Sequence, residues 1–191
     1  MSDGLNQNEK KFLLELARRT LEHYLRTGTR LELKPGDVPS KRLTEDGACF
    51  VTLHMGEQLR GCIGSLEAIQ PLVFDVVENA LRAAFGDPRF YPLTPEEFKQ
   101  VRISISVLTR PEQFPAKDAE DLLNRLVVGK HGLIIKKGVA RATFLPVVWE
   151  LLPQKEVFLC QLCMKAGLEA DEWKKTDCIE FFIYEADEFS E

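Results

Sequence analysis

No stretch of this chain approaches the roughly 20 consecutive apolar residues that a bilayer-spanning helix requires. The opening residues, Met1 to Lys11, are polar and hold no apolar signal core, so the chain is expected to stay in the cytoplasm and off the membrane. Positive charge is in deficit: 25 Lys and Arg face 30 Asp and Glu, for a net charge of -5. General nucleic-acid binding and attachment to an anionic membrane both need a basic field, so both are disfavoured. Histidine is scarce. His23, His54 and His131 are the full set, and none sits in a metal motif such as H-E-x-x-H. There is no Walker-type phosphate loop and no G-x-G-x-x-G, so no cofactor and no metal is implied by motif. The five cysteines are odd in number and irregular in spacing, which favours reduced thiols over a disulfide framework. Internal repeats and low-complexity segments are absent.

What remains is an ordinary globular composition. The 191 residues are 45% hydrophobic, enough for one large domain, or two small lobes sharing a core. From Asn8 to Thr27 an apolar stripe through Phe12, Leu13, Leu16, Ala17, Leu21, Tyr24 and Leu25 predicts a helix, stopped by Gly28. Leu31 to Lys41, with two prolines and a glycine, reads as an extended linker. Ala48 to Met55 and Gln58 to Gly64 predict two strands joined by a tight turn at Gly56-Glu57, with glycine at the first central position of a type II′ geometry. Pro71 opens a second helix, whose stripe runs from Leu72 to Ala84 and ends at Gly86. Thr94-Pro95-Glu96-Glu97 is a capping box ahead of a short helix. Val101, Ile103, Ile105 and Val107 alternate with polar residues, the pattern of a half-buried strand ending at Leu108.

Further along, Asp118 to Leu126 predicts a short helix. Gly132 to Lys136 and Val139 to Leu145 predict a hairpin around Lys137-Gly138. Lys155 to Ala166 predicts a helix, and Cys178 to Glu185 a last strand. Helices and hairpins mix without regular βαβ alternation. The expected class is α+β, mainly antiparallel β-sheet with flanking helices.

The stretch with most chemical content is Leu59-Arg60-Gly61-Cys62-Ile63-Gly64. A thiol lies between two glycines, which permit close approach of backbone to a partner. Arg60, two positions upstream, supplies positive charge, and cations beside a thiol favour its thiolate form. Strand alternation would place Arg60, Cys62 and Gly64 on one face. A two-residue turn at Gly56-Glu57 would set Cys62 opposite Val51 and Arg60 opposite Leu53.

The hexapeptide resembles the signature of the AMMECR domain family, whose bacterial and archaeal members are called AmmeMemoRadiSam system protein A. Gly47-Ala48-Cys49-Phe50-Val51-Thr52-Leu53 is similar to the family's preceding strand. Asp87-Pro88-Arg89-Phe90 with Pro92-Leu93-Thr94 is similar to its mid-domain connector. Val128-Gly129-Lys130-His131-Gly132-Leu133 resembles its G-x-H-G segment, and Thr143-Phe144-Leu145-Pro146-Val147-Val148 its T-x-L-P-x-V element. The resemblance implies a single domain over residues 1–191 with two unequal lobes, and the cysteine motif near a cleft between them. It also implies company: a Memo-type protein and a radical S-adenosylmethionine enzyme. It carries no settled reaction.

Two function classes are therefore open. In the first, the chain is an enzyme or a substrate-handling component. Cys62 would be a reactive or ligand-contacting thiol at a small-molecule site, with His131 as its base across the fold. Arg60, Gly61, Gly64, Arg89 and Thr143 would be binding residues, Arg89 through its fork of donors. In the second, the chain is a non-catalytic adaptor for the Memo-type or radical enzyme, and the thiol is packing. Blander structural roles compete at each position: a small buried hydrophobe at Cys62, a turn-shaping imidazole at His131, an Asp87–Arg89 pair pinning the connector, and a solvent-facing strand residue at Thr143. Plain exposure is expected for His54. Cys160-x-x-Cys163 lies inside an amphipathic helix with neither a redox nor a zinc context, so Cys163 is expected in the core. Lys130, Lys136, Lys137 and Arg141 are read as a solvated hairpin.

Overall fold

In the computed structural model, which describes residues 4–34 and 36–191, the first apolar stripe forms helix α1 (Gln7–Thr27). Asn6 and Glu9 close a reciprocal capping box at its start, and Gly28 ends it in the left-handed region at φ 71°. The expectations for Met1 to Asp3 and for Pro35 of the linker lie outside the described residues. Helix α2 (Leu72–Phe85) begins one residue later than the sequence suggests, with Pro71 as its N-cap. Thr94 and Glu97 close the predicted capping box of α3 (Pro95–Phe98). Two more helices follow, α4 (Ala119–Arg125) and α5 (Lys155–Lys165). The strands, in chain order, are β1 (Ala48–Met55), β2 (Gln58–Gly64), β3 (Val101–Leu108), β4 (Glu112–Gln113), β5 (Gly132–Lys137), β6 (Ala140–Phe144), β7 (Glu180–Tyr184) and β8 (Ala186–Ser190). The last predicted strand is β7, and β4 and β8 are elements the sequence reading lacked.

The chain divides into two compact units. The first runs to Thr109 and takes back Asp187–Glu191; its four-stranded sheet has the order β2-β1-β3-β8. Cys49, Val51 and Leu53 of β1 and Ile103 and Ile105 of β3 are fully buried in one core with Leu13, Leu16, Ala17 and Leu21 of α1 and Val73, Val76, Val77 and Ala80 of α2. Both helices therefore cover one face of the sheet. The period of two in the strands leaves Phe50, Thr52 and His54, with Arg102, Ser104 and Ser106, on the other face.

Hairpin β1–β2 turns where expected: Gly56 has φ 58°, and no other described residue than glycine has positive φ, which fits type II′. Its register, however, departs from simple pairing. Met55 faces Gln58 and His54 faces Leu59, but Leu53 faces Gly61 and Thr52 faces Cys62. Arg60 is the extra residue of a β-bulge. The slip moves every residue beyond it by one place, so Cys62 lies opposite Thr52 rather than Val51, and Gly61 rather than Arg60 lies opposite Leu53. The alternation expected to put Arg60, Cys62 and Gly64 on one face is interrupted at Arg60, which has no partner on β1.

The second unit is Arg110–Ala186. Its antiparallel sheet has the order β4-β7-β5-β6. Leu133, Ile135 and Phe181 from the sheet pack with Leu122, Phe158, Leu159, Leu162 and Cys163 of its helices. Trp149 lies flat on Phe158 at 3.7 Å between ring centroids. The class is α+β, as the sequence suggests. Among the described residues no helix is long and apolar enough to cross a membrane.

Candidate functional site

Cys62 is half-buried on β2, and the bulge gives it a polar neighbour: Thr52 Oγ1 donates to Cys62 Sγ at 3.2 Å. Since β2 is an edge strand, the backbone of Cys62 lacks a further strand to pair with. The connector after α2 takes that place. The Cys62 amide donates to Asp87 Oδ2 at 2.9 Å, and Arg89 Nη2 donates to the Cys62 carbonyl at 3.2 Å. Asp87 and Arg89 are joined to each other through Arg89 Nε at 2.9 Å and Nη2 at 2.6 Å. The guanidinium of Arg89, then the amides of Cys62 and Arg89, hold the buried Asp87 carboxyl far below the usual carboxylate range. Asp87-Pro88-Arg89 thus does to β2 what a neighbouring strand would do, and closes an edge that would otherwise be open to pairing.

Arg60 is not a charge held ready for the thiol. At 9% exposure it is buried; Nε donates to Glu97 Oε1 at 2.9 Å, and Nη2 donates to Glu97 Oε2 at 3.0 Å and to the Tyr91 carbonyl at 2.8 Å. Its cationic partner, together with the Thr94 amide, lowers the Glu97 carboxyl to about 2. Glu97 therefore serves twice, as capping-box residue for α3 and as the fork partner of Arg60. The bulge explains the geometry: it sends Arg60 to the connector while Cys62 turns to Thr52.

The flanking glycines have packing reasons. A Cβ on Gly61 would stand 2.1 Å from the Ala83 carbonyl oxygen, on the backbone of α2. A Cβ on Gly64 would stand 2.3 Å from the Phe50 ring and 2.6 Å from the Cys49 carbonyl. Each glycine lets a neighbour come closer than any side chain allows. Beneath Gly64, the buried Asp75 of α2 accepts from the Cys49 amide at 2.8 Å and from Ser65 Oγ at 2.7 Å, and Asn79 donates to Asp75 at 3.0 Å. That network, like Thr52, has no motif in the sequence to announce it, whereas the capping box names Glu97.

His131 belongs to the second unit and is occupied there. The Val127 amide donates to its Nδ1 at 3.2 Å, and its own carbonyl accepts from Trp149 Nε1 at 2.7 Å. With Nδ1 accepting, the neutral ring carries its proton on Nε2. Burial pushes its titration below the usual histidine value. This is the turn-shaping imidazole, and the lone pair a general base needs is already in use. Thr143 also turns inward rather than to solvent: its hydroxyl donates to the Leu133 carbonyl at 3.0 Å and meets Tyr184 Oη at 2.9 Å. Tyr184, which the sequence reading passed over, donates to the Phe144 carbonyl at 3.1 Å. Its ring lies where a Cβ of Gly132 would be, and burial raises its hydroxyl to about 12. The G-x-H-G and T-x-L-P-x-V segments therefore meet at Tyr184.

His54 is half-buried rather than exposed, with Nδ1 sealed from water and unpartnered, while the other candidates have local contacts. Cys163 is in the core of the second unit, where burial raises its thiol to about 11, and Cys160 Sγ accepts from Trp173 Nε1 at 3.4 Å. Lys130 pairs with Glu185, Lys137 with Glu172, and Lys136 lies over the Phe182 ring. Among the described residues no three His, Cys, Asp or Glu side chains gather as a metal ion requires.

Known proteins place this arrangement. The sequence is 39% identical to Protein MK0488 of Methanopyrus kandleri across 100% of this chain and 92% of that one. A protein of Methanothermobacter thermautotrophicus is 42% identical over 87% of this chain and 86% of its own. The crystal structure of the uncharacterized protein PH0010 from Pyrococcus horikoshii superimposes with a TM-score of 0.83 at 36% identity, covering 98% of this chain and 93% of that one. The AMMECR1 family model matches residues 14–189, a span that takes in the Cys62 strand, the Asp87–Arg89 connector and the Tyr184 cluster alike, and the chain belongs to that family.

Proposed function

We propose that the protein is a substrate-handling component that binds a small molecule non-covalently at the surface around Cys62. The setting of the thiol carries this reading. Cys62 is half-buried, fixed through its backbone by Asp87 and Arg89, and hydrogen-bonded by a hydroxyl. Among the described residues no base bonds its sulfur, and nucleophilic cysteines depend on one. Rigid support of a partly open polar atom suits recognition. Family resemblance supplies the company, a Memo-type protein and a radical S-adenosylmethionine enzyme that would make or use the bound molecule.

Iodoacetamide labelling of the native and the urea-unfolded chain, read by peptide mass spectrometry, tests this. Cys62 is expected to label no faster in the native protein. A native rate about tenfold above the unfolded one at neutral pH would mark an activated nucleophile and overturn the reading.

A second reading, an adaptor that docks on those two proteins, draws on two exposed apolar side chains near β2. Ile69 is 78% exposed and Tyr91 91%. Capture of either protein by wild type and by Cys62→Ser alike, lost in Tyr91→Ser or Ile69→Ser, would favour it.

A further inference from the structure

We propose that the face of the first sheet turned away from its helices is an oxyanion site, and that the molecule bound beside Cys62 carries a carboxylate or phosphate. This rests on the non-covalent reading above and names the chemistry of its ligand.

The argument starts from register. Thr52 stands between Cys62 on β2 and Ser104 on β3, so three polar side chains form one row across the sheet. His54, two residues along β1, faces Arg102 of β3 in the next row on the same face. Two strand spacings separate Cys62 from Ser104, roughly 10 Å, and the two rows lie about 7 Å apart. A patch of that size takes a small molecule.

Three groups on this face lack partners within the protein. The Ser104 hydroxyl makes no hydrogen bond among the described residues and is not sealed from water, although the residue is only 7% exposed. His54 Nδ1 is buried with no partner. Arg102 is exposed and makes no ion pair among the described residues. A buried polar atom left unpaired is uncommon and costly, so the orphaned His54 Nδ1, beside a serine hydroxyl and an exposed guanidinium, calls for a ligand. Thr52 already directs its proton to Cys62 Sγ. The open positions are therefore a hydroxyl donor, an imidazole and a guanidinium, and what completes them is rich in acceptors.

The nearby acids do not compete. Asp87 is bound to Arg89 and Glu97 to Arg60. Glu188 belongs to β8, which lies next to β3 in the sheet, and it makes no ion pair with Arg102 among the described residues. Arginine takes carboxylate and phosphate through the same planar fork, so the two share one site chemistry.

The test is protection of the thiol. The full chain is labelled with iodoacetamide in succinate, in inorganic phosphate, and in sodium chloride of equal ionic strength, while the Cys62 and Cys178 peptides are followed. Cys178 is exposed and lies in the second unit, so it reports on general salt effects. Saturable slowing at Cys62 alone, about threefold or more, is expected with at least one oxyanion, and the two arms tell carboxylate from phosphate. Arg102→Gln and Ser104→Ala are expected to abolish the protection while keeping the wild-type melting temperature within a few degrees; His54→Gln provides a third variant. No protection by either ion, equal slowing at Cys178, or protection that survives both substitutions would overturn the proposal. Fast labelling of native Cys62 in chloride would instead count against the non-covalent reading, leaving the protection result to stand by itself.

Discussion

At Gly61 the neighbour is backbone and at Gly64 it is mainly a ring, and the difference is measurable. Gly61→Ala drives a Cβ against the Ala83 carbonyl on α2, which cannot move without the helix. A loss of about 3 kcal/mol or more in urea unfolding is expected, with no rescue from trimming side chains. Gly64→Ala meets the Phe50 ring, so Phe50→Ala in the same chain is expected to recover part of the loss, a coupling that a double-mutant cycle reads directly. His131 gives a second prediction. His131→Phe leaves the Val127 amide without its acceptor, at a cost of about 1–3 kcal/mol, and leaves Cys62 labelling unchanged. Because burial lowers the folded-state titration of His131 below 6.5, the stability it contributes is present above that pH and falls away as the pH drops through the folded value. Unfolding measured on either side of 6.5 is expected to show this slope in wild type and not in His131→Phe.

Among the elements, the β1–β2 hairpin and the connector show what a sequence can and cannot disclose. The turn at Gly56, the alternation of Val101 to Leu108 and the capping box at Thr94 are local signals, written within a few residues, and each element lies where they put it. The bulge at Arg60 is not local. It answers to Leu53 across the hairpin and to Glu97, 37 residues on, and no period in β2 records it. That single slip is why Arg60 leaves the thiol and Thr52 joins it. The glycines drew the eye to the right segment, although the reasons for them are Ala83 and Phe50. The connector makes a third prediction. Glu97 is lowered to about 2 from 4.5, so its contribution to stability is intact above 4.5 and is lost as the pH falls from there toward 2. Glu97→Gln is expected to cost about 2–3 kcal/mol at neutral pH by leaving buried Arg60 without its fork partner. Its unfolding free energy is also expected to fall less steeply between those two pH values.

For the molecule as a whole, the informative feature is the return of the chain to the first unit. Cys178 to Glu185 reads as one strand because apolar content fades after Tyr184. The strand that follows, β8, is set by long-range partners: Lys10 with Asp187, Arg18 with Glu191, and the Glu191 amide with the Ile103 carbonyl. None of these is visible in a window of ten residues. Ending the chain at Ala186 removes all three and bares the edge of β3. The melting temperature of the shortened chain is expected to fall, and light scattering to show self-association that grows with concentration, since a bare strand edge invites pairing. A shortened chain that melts like wild type would show β8 to be an appendage.

This return sets an order on assembly during synthesis. The second unit is one uninterrupted length, available to fold as soon as it has emerged from the ribosome, whereas the first waits with three strands of four until β8 arrives. Strands β1 to β3 are therefore made before the second unit and completed after it, and the edge of β3 is bare through that interval.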